Sequence, residues 1–150
     1  MYKMLIFYLS AVLWFEMVTG IDYKDCGSTM GTLLNVTVSN CDQKAVCILK
    51  RGQKATIDIY FTPGERVENV TVKVYGIVSG HQVPFPDPSI VNGCNGSGLS
   101  CPLLPGQPQH YTSTLLVKRI FPRLHVGIKW ILTDEHQQSI VCTEFRSRLQ

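Results

Sequence analysis

The chain is 150 residues long, carries a formal net charge of +3 at neutral pH, and holds six cysteines and four histidines. Its 14 basic residues are dispersed, with Lys50-Arg51 and Lys118-Arg119 the only adjacent pairs, which excludes the clustered basic footprint of a nucleic-acid binder. The apolar run over 5–15 is too short to cross a bilayer.

Residues 1–20 read as a cleaved secretory signal peptide. Lys3 supplies the positive n-region, the apolar run stops at Glu16, and small Gly20 precedes a polar stretch. The remainder, 21–150, suits one domain with a single core, and a monomer is the size-based default.

Strand patterns fill most of that remainder. Leu34, Val36 and Val38 alternate with Asn35 and Thr37; Ile57, Ile59 and Phe61 with Asp58 and Tyr60; Val70, Val72 and Val74 with Thr71 and Lys73. Each set gives a strand with one apolar face. Further on, Leu115 and Val117 precede Lys118; Val126, Ile128, Trp130 and Leu132 share a face opposite His125 and Lys129; Ile140 and Cys142 close the pattern. No window of helical length carries a clean apolar repeat. With turn signals at Pro63-Gly64, 84–88, Asn95-Gly96 and Pro105-Gly106, about seven strands are predicted. The fold class is therefore all-β, an immunoglobulin-like sandwich of two antiparallel sheets.

An even cysteine count behind a secretory leader points to disulfides. Spacing alone leaves fifteen connectivities open. The close pairs Cys41/Cys47 and Cys94/Cys101 are natural local staples, which leaves Cys26 to meet Cys142. Neither close pair has the two-to-four-residue spacing of a structural zinc site, and the histidines are isolated, so no metal or other cofactor is expected. The chain also lacks Gly-x-Ser-x-Gly and His-Glu-x-x-His motifs, so no enzymatic activity is expected. Sequons at Asn35, Asn69 and Asn95 are candidate glycosylation sites, the first two on polar faces of predicted strands.

Asp25-Cys26-Gly27-Ser28, Cys41, Cys47, Lys50-Arg51-Gly52-Gln53, Val83-Pro84-Phe85-Pro86, Gly93-Cys94, Cys101-Pro102, Trp130 and Cys142 together resemble the ML (MD-2-related lipid-recognition) family over 21–150. That resemblance implies sheets splayed around a hydrophobic ligand cavity, and disulfides Cys26–Cys142, Cys41–Cys47 and Cys94–Cys101. It also implies a secreted protein or one of the lysosomal lumen, which binds sterol such as cholesterol and transfers it without covalent chemistry to acidic-compartment membranes or to the Niemann-Pick type C1 membrane protein.

By family position, Phe85, Val117 and Phe121 would line the sterol tunnel, with Val38, Ile57, Val74, Val78, Val83, Leu124 and Trp130 deeper or flanking. Phe85 and Phe121 would gate the mouth, stiffened by Pro84, Pro86 and Pro122. For Val38, Ile57, Val74 and Trp130, packing in a filled sandwich core explains the residue types equally well. The chain departs from the vertebrate pattern at His81-Gln82 and at Thr143. A carrier of fatty acids or semiochemicals is therefore the alternative ligand reading, and an adhesion module with a filled core is the alternative outside lipid transport. His81 reads first as an idle solvated side chain, with a charge switch beside the mouth as the lesser reading, and Lys118 and Arg119 would steer towards anionic lipid.

Overall fold

The computed structural model of the chain describes residues 21–41, 45–85 and 87–150. The signal peptide read over 1–20 and the stiffening role read for Pro86 lie outside them. The described residues form nine strands: β1 (Tyr23–Asp25), β2 (Gly31–Val38), β3 (Cys47–Leu49), β4 (Lys54–Pro63), β5 (Thr71–Val78), β6 (His81–Pro84), β7 (Gln109–Leu116), β8 (His125–Thr133) and β9 (Ser139–Leu149). A single turn of 3-10 helix, Pro88–Ile90, lies between β6 and β7.

One sheet runs β1-β9-β8-β5-β6, with β3 added alongside β9; the other runs β2-β4-β7. Pairing is antiparallel throughout except for β3 with β9. The all-β sandwich expected from alternation is thus observed, with more strands than the pattern counts. The strands outside the named alternating runs, β1, β3 and β6, are three or four residues long, too short for alternation to register.

β6 includes the first half of the segment expected to be a loop. Val78 pairs with His81 across Ser79 and Gly80, both at positive φ (50° and 78°), as a two-residue hairpin turn requires. Pro84 is tolerated because β6 is a sheet edge, where a missing N–H leaves no partner unsatisfied. β2 also departs from the simple pattern. A register shift between Leu33 and Asn35 turns Leu34 outward, where it is 51% exposed, and lets Leu33 pack against the core instead.

Cysteine bonds join Cys26 to Cys142, Cys41 to Cys47 and Cys94 to Cys101. The Asp-Cys-Gly-Ser segment has a local reason for its composition. Asp25 Oδ1 accepts the N–H groups of Gly27 (2.9 Å) and Ser28 (2.8 Å), and Gly27 takes φ 128°, so the chain turns sharply beside Cys26. Ser28 Oγ then accepts the N–H of Cys142, fixing the turn against β9.

Side chains facing between the sheets change size along the strands. On β4 the sequence runs Ala55, Ile57, Ile59, Phe61; Tyr111 stands beside Ile59 on β7, and Trp130 and Leu132 follow Val126 and Ile128 on β8. At the large-residue end, Ile59, Phe61, Leu132 and Ile140 are wholly excluded from solvent, and the Tyr111 and Trp130 rings lie 6.2 Å apart. At the other end, β5 offers Gly76 between Val74 and Val78, and the inward side chains no longer bridge the gap. The sandwich is packed at one end and hollow at the other.

Candidate functional site: an apolar cavity between the sheets

The hollow end is a cavity of about 480 Å³, within the range of small-molecule sites. Its walls come from β2 to β9, with Phe85 after β6 and the segment between β7 and β8. No charged side chain lines it. Such a space favours hydrocarbon over water, because water there would lose hydrogen bonds that the lining does not return.

The structure brings all ten sequence-predicted residues to this cavity. Val38 and Ile57 approach from the small sheet, Val74 and Val78 from β5, and Trp130 from β8; Val83 and Phe85 border it at and after β6, and Val117, Phe121 and Leu124 follow β7. Val38, Ile57, Val74, Val117 and Trp130 are buried, whereas Val83 is 54% exposed. Phe85 and Phe121 are half-buried and meet edge to face, with ring centroids 6.0 Å apart. The Phe85 N–H donates to Val74 O at 2.9 Å, which ties that side of the pair to β5. Pro84 and Pro122 also line the cavity.

Other lining residues escape the sequence reading. Val126 and Ile128 were legible as one apolar face with Trp130 but were not assigned to the site. Phe145 and Leu149 extend β9 beyond Cys142, where the expected pattern stopped, and Leu49 sits on short, parallel β3. The core-facing phase of β9 includes Thr143, Phe145, Ser147 and Leu149, and the polar members hid it. Ser147 satisfies its hydroxyl by donating to Val126 O at 2.7 Å.

His81 begins β6, is exposed, and does not line the cavity, although its strand-mates Val83 and Pro84 do. Thr143 is buried opposite Trp130 in the β8–β9 register. Tyr111, beside the cavity-lining Trp130, has its hydroxyl pKa pushed up by burial. Lys118 and Arg119 are exposed beside Val117. Asn35 is half-buried on β2, and Asn69 and Asn95 are exposed in connecting segments; Asn69 precedes β5 rather than lying on it. No group of three or more metal-ligating side chains occurs among the described residues.

The fold and its hollow end define an immunoglobulin-like sandwich with an internal hydrophobic cavity whose lining includes two aromatic rings in contact, Phe85 and Phe121. The chain belongs to the ML domain family, whose model matches residues 20–149. It is 37% identical to NPC intracellular cholesterol transporter 2 homolog a of Drosophila melanogaster over 87% of this chain and 88% of that protein. To NPC intracellular cholesterol transporter 2 of Danio rerio it is 33% identical, over 96% and 95% of the two chains. The crystal structure of a Niemann-Pick type C2 protein from the Japanese carpenter ant superposes with a TM-score of 0.82 at 30% identity, covering 86% of this chain and 99% of that one.

Proposed function

We propose that the protein is a lipid carrier that holds one hydrophobic molecule, with sterols of the cholesterol class first, in the cavity between its sheets and releases it through the Phe85–Phe121 mouth. The observation that carries this reading is the uncharged cavity of about 480 Å³ at one end of a sandwich whose other end is closely packed around Ile59, Phe61, Leu132 and Ile140. Membership of the ML domain family, and relatives named as intracellular cholesterol transporters, support sterol as the ligand and transfer as the purpose. An adhesion module would need a filled core.

Phe85, Val117 and Phe121 contact the ligand near the mouth, and Val38, Ile57, Val74 and Trp130 bound its deeper part. Val78, Val83 and Leu124 complete the rim. Without a charged side chain in the wall, a sterol's hydroxyl remains at the mouth and its hydrocarbon goes inside. A ligand of about 28 heavy atoms, at about 0.3 kcal/mol each, binds with about 8 kcal/mol, near micromolar affinity. Binding of that order allows release as well as capture. No covalent step is required.

The carrier works outside the cytosol, either secreted or in the lysosomal lumen. Three disulfides and the leader read over 1–20 support an oxidising route. It acts as a monomer, carries glycan on at least one of Asn35, Asn69 and Asn95, and delivers to membranes of acidic compartments or to the Niemann-Pick type C1 membrane protein.

The test is displacement of dehydroergosterol from the oxidised protein by cholesterol and by oleic acid. Saturable binding with cholesterol competition supports the sterol carrier. Competition by oleic acid alone reassigns the ligand to fatty acids, and no binding of either lipid refutes the cavity's role.

A further inference from the structure

The mouth loop over 118–123 is attached to the sandwich at three places. At its start, Val117 exchanges two backbone hydrogen bonds with the preceding turn: Gly52 N–H donates to Val117 O, and Val117 N–H donates to Gln53 O. At its far end, Leu124 O accepts the N–H of Leu149 at 2.9 Å. Between these hinges, Arg51 Nη1 donates to Arg119 O at 3.1 Å and to Phe121 O at 3.0 Å. Ile120, between the two carbonyls, is 85% exposed, and Phe121 is the one side chain of the loop that packs against the core.

Arg51 itself stands on a fixed base. Its N–H donates to Gln150 O at 2.8 Å, and Gln150 N–H donates to Leu49 O at 3.1 Å, continuing the β3–β9 pairing. Gly52, next to it, takes φ 83°, and a Cβ there would lie 2.6 Å from Arg119 Nε. The turn's approach to the mouth loop is set by the Gly52 N–H to Val117 O bond, with the Arg119 side chain lying over the glycine.

We propose that Arg51 is a positioning residue for lipid exchange: by holding the Arg119 and Phe121 carbonyls, it keeps the Phe121 ring closed on Phe85 and thereby sets the rate at which ligand leaves the cavity. This rests on the lipid-carrier reading. A charged donor binds carbonyls more strongly than a neutral one, and the loop has hinges on either side at which to swing once that hold is lost. Arg51 does not line the cavity, so its effect on the ligand passes through Phe121.

The experiment follows transfer of dehydroergosterol and, separately, cis-parinaric acid from the loaded protein to neutral phosphatidylcholine vesicles, which remove any charge attraction between Arg51 and the acceptor. Four forms are compared: wild type, Arg51→Met, Phe121→Ala and the double variant, with thermal unfolding recorded for each. Arg51→Met is expected to speed release about tenfold, the kinetic equivalent of one charged hydrogen bond. Arg51→Lys, which keeps a cationic donor, is expected to fall between it and wild type; it carries the test if Arg51→Met does not fold. In the Phe121→Ala background, Arg51→Met is expected to add nothing.

Equal acceleration with and without Phe121 would overturn the proposal, as would lowered thermal stability with unchanged release. If wild type loads neither lipid, the carrier reading fails and the latch falls with it. If wild type loads and releases lipid but Arg51→Met and Arg51→Lys release it at the same rate as wild type, the latch alone is wrong.

Discussion

Phe85 and Phe121, 36 positions apart in the chain, meet edge to face with their rings inclined at 65° and their centroids 6.0 Å apart. Phe85 is tied to β5 through its own N–H, while Phe121 belongs to the loop after β7. The ring contact thus joins the segment after β6 to the loop after β7.

Phe85→Ala is expected to weaken sterol binding about tenfold, the combined loss of an aromatic pair and part of the ligand's apolar cover. Folding stability should change little, because the ring is half-buried at the rim. Equilibrium titration with dehydroergosterol, beside thermal unfolding, separates the two. Unchanged affinity would place the ligand away from this rim.

Val117→Phe tests occupancy of the cavity. Val117 is 8% exposed and lines the space directly, so the larger ring enters volume that the ligand needs. Sterol binding should fall by more than about a hundredfold while stability stays within about 1.5 kcal/mol, since the ring fills a void and does not displace packed neighbours. A variant that binds as tightly as wild type would contradict the assignment.

The Cys26–Cys142 bond spans 116 positions, whereas Cys41–Cys47 spans 6. In the chain-entropy account, replacing the first pair by serine lowers stability by about 4–5 kcal/mol and replacing the second by about 2 kcal/mol. Denaturant unfolding of the two double variants under oxidising conditions gives the comparison. Equal losses would show that native-state contacts, not chain entropy, dominate.

Asp25 links stability to pH. Burial works to raise its carboxyl pKa, but the N–H groups of Gly27 and Ser28, with the Ser28 side chain, together hold it below the ordinary value. A depressed folded-state pKa contributes stability above the unfolded-state value, about 4, and that contribution disappears as pH falls through the folded-state value. Stability from this group should therefore be level from pH 7 to pH 5 and decline below about pH 4. Asp25→Asn should flatten the acid decline; an identical decline in the variant would locate the responsible carboxylate elsewhere.

Val38, Ile57, Val74 and Trp130 were legible as inward-facing because each lies in a run with period two. Alternation did not reveal whether they pack against one another or surround a space. That distinction comes from the taper on β4, from Ala55 to Phe61, together with Gly76 on β5, and it needs the two sheets face to face. Phe85 and Phe121 were reachable through family likeness, since loop aromatics have no periodicity to read. Leu34 misled because its strand carries a bulge, which shifts the side-chain phase within an apparently regular run. Phe145 and Leu149 were hidden by Thr143 and Ser147, whose polar side chains interrupt an otherwise apolar inward face. Arg51 had no local signal for its role: the carbonyls it holds belong to residues 68 and 70 positions away.

The most direct measurement is the native mass of the purified, oxidised protein after incubation with cholesterol-containing vesicles and removal of the vesicles. The account predicts one added cholesterol mass per chain, lost in Val117→Phe. Protein that carries no cholesterol after this treatment would contradict it.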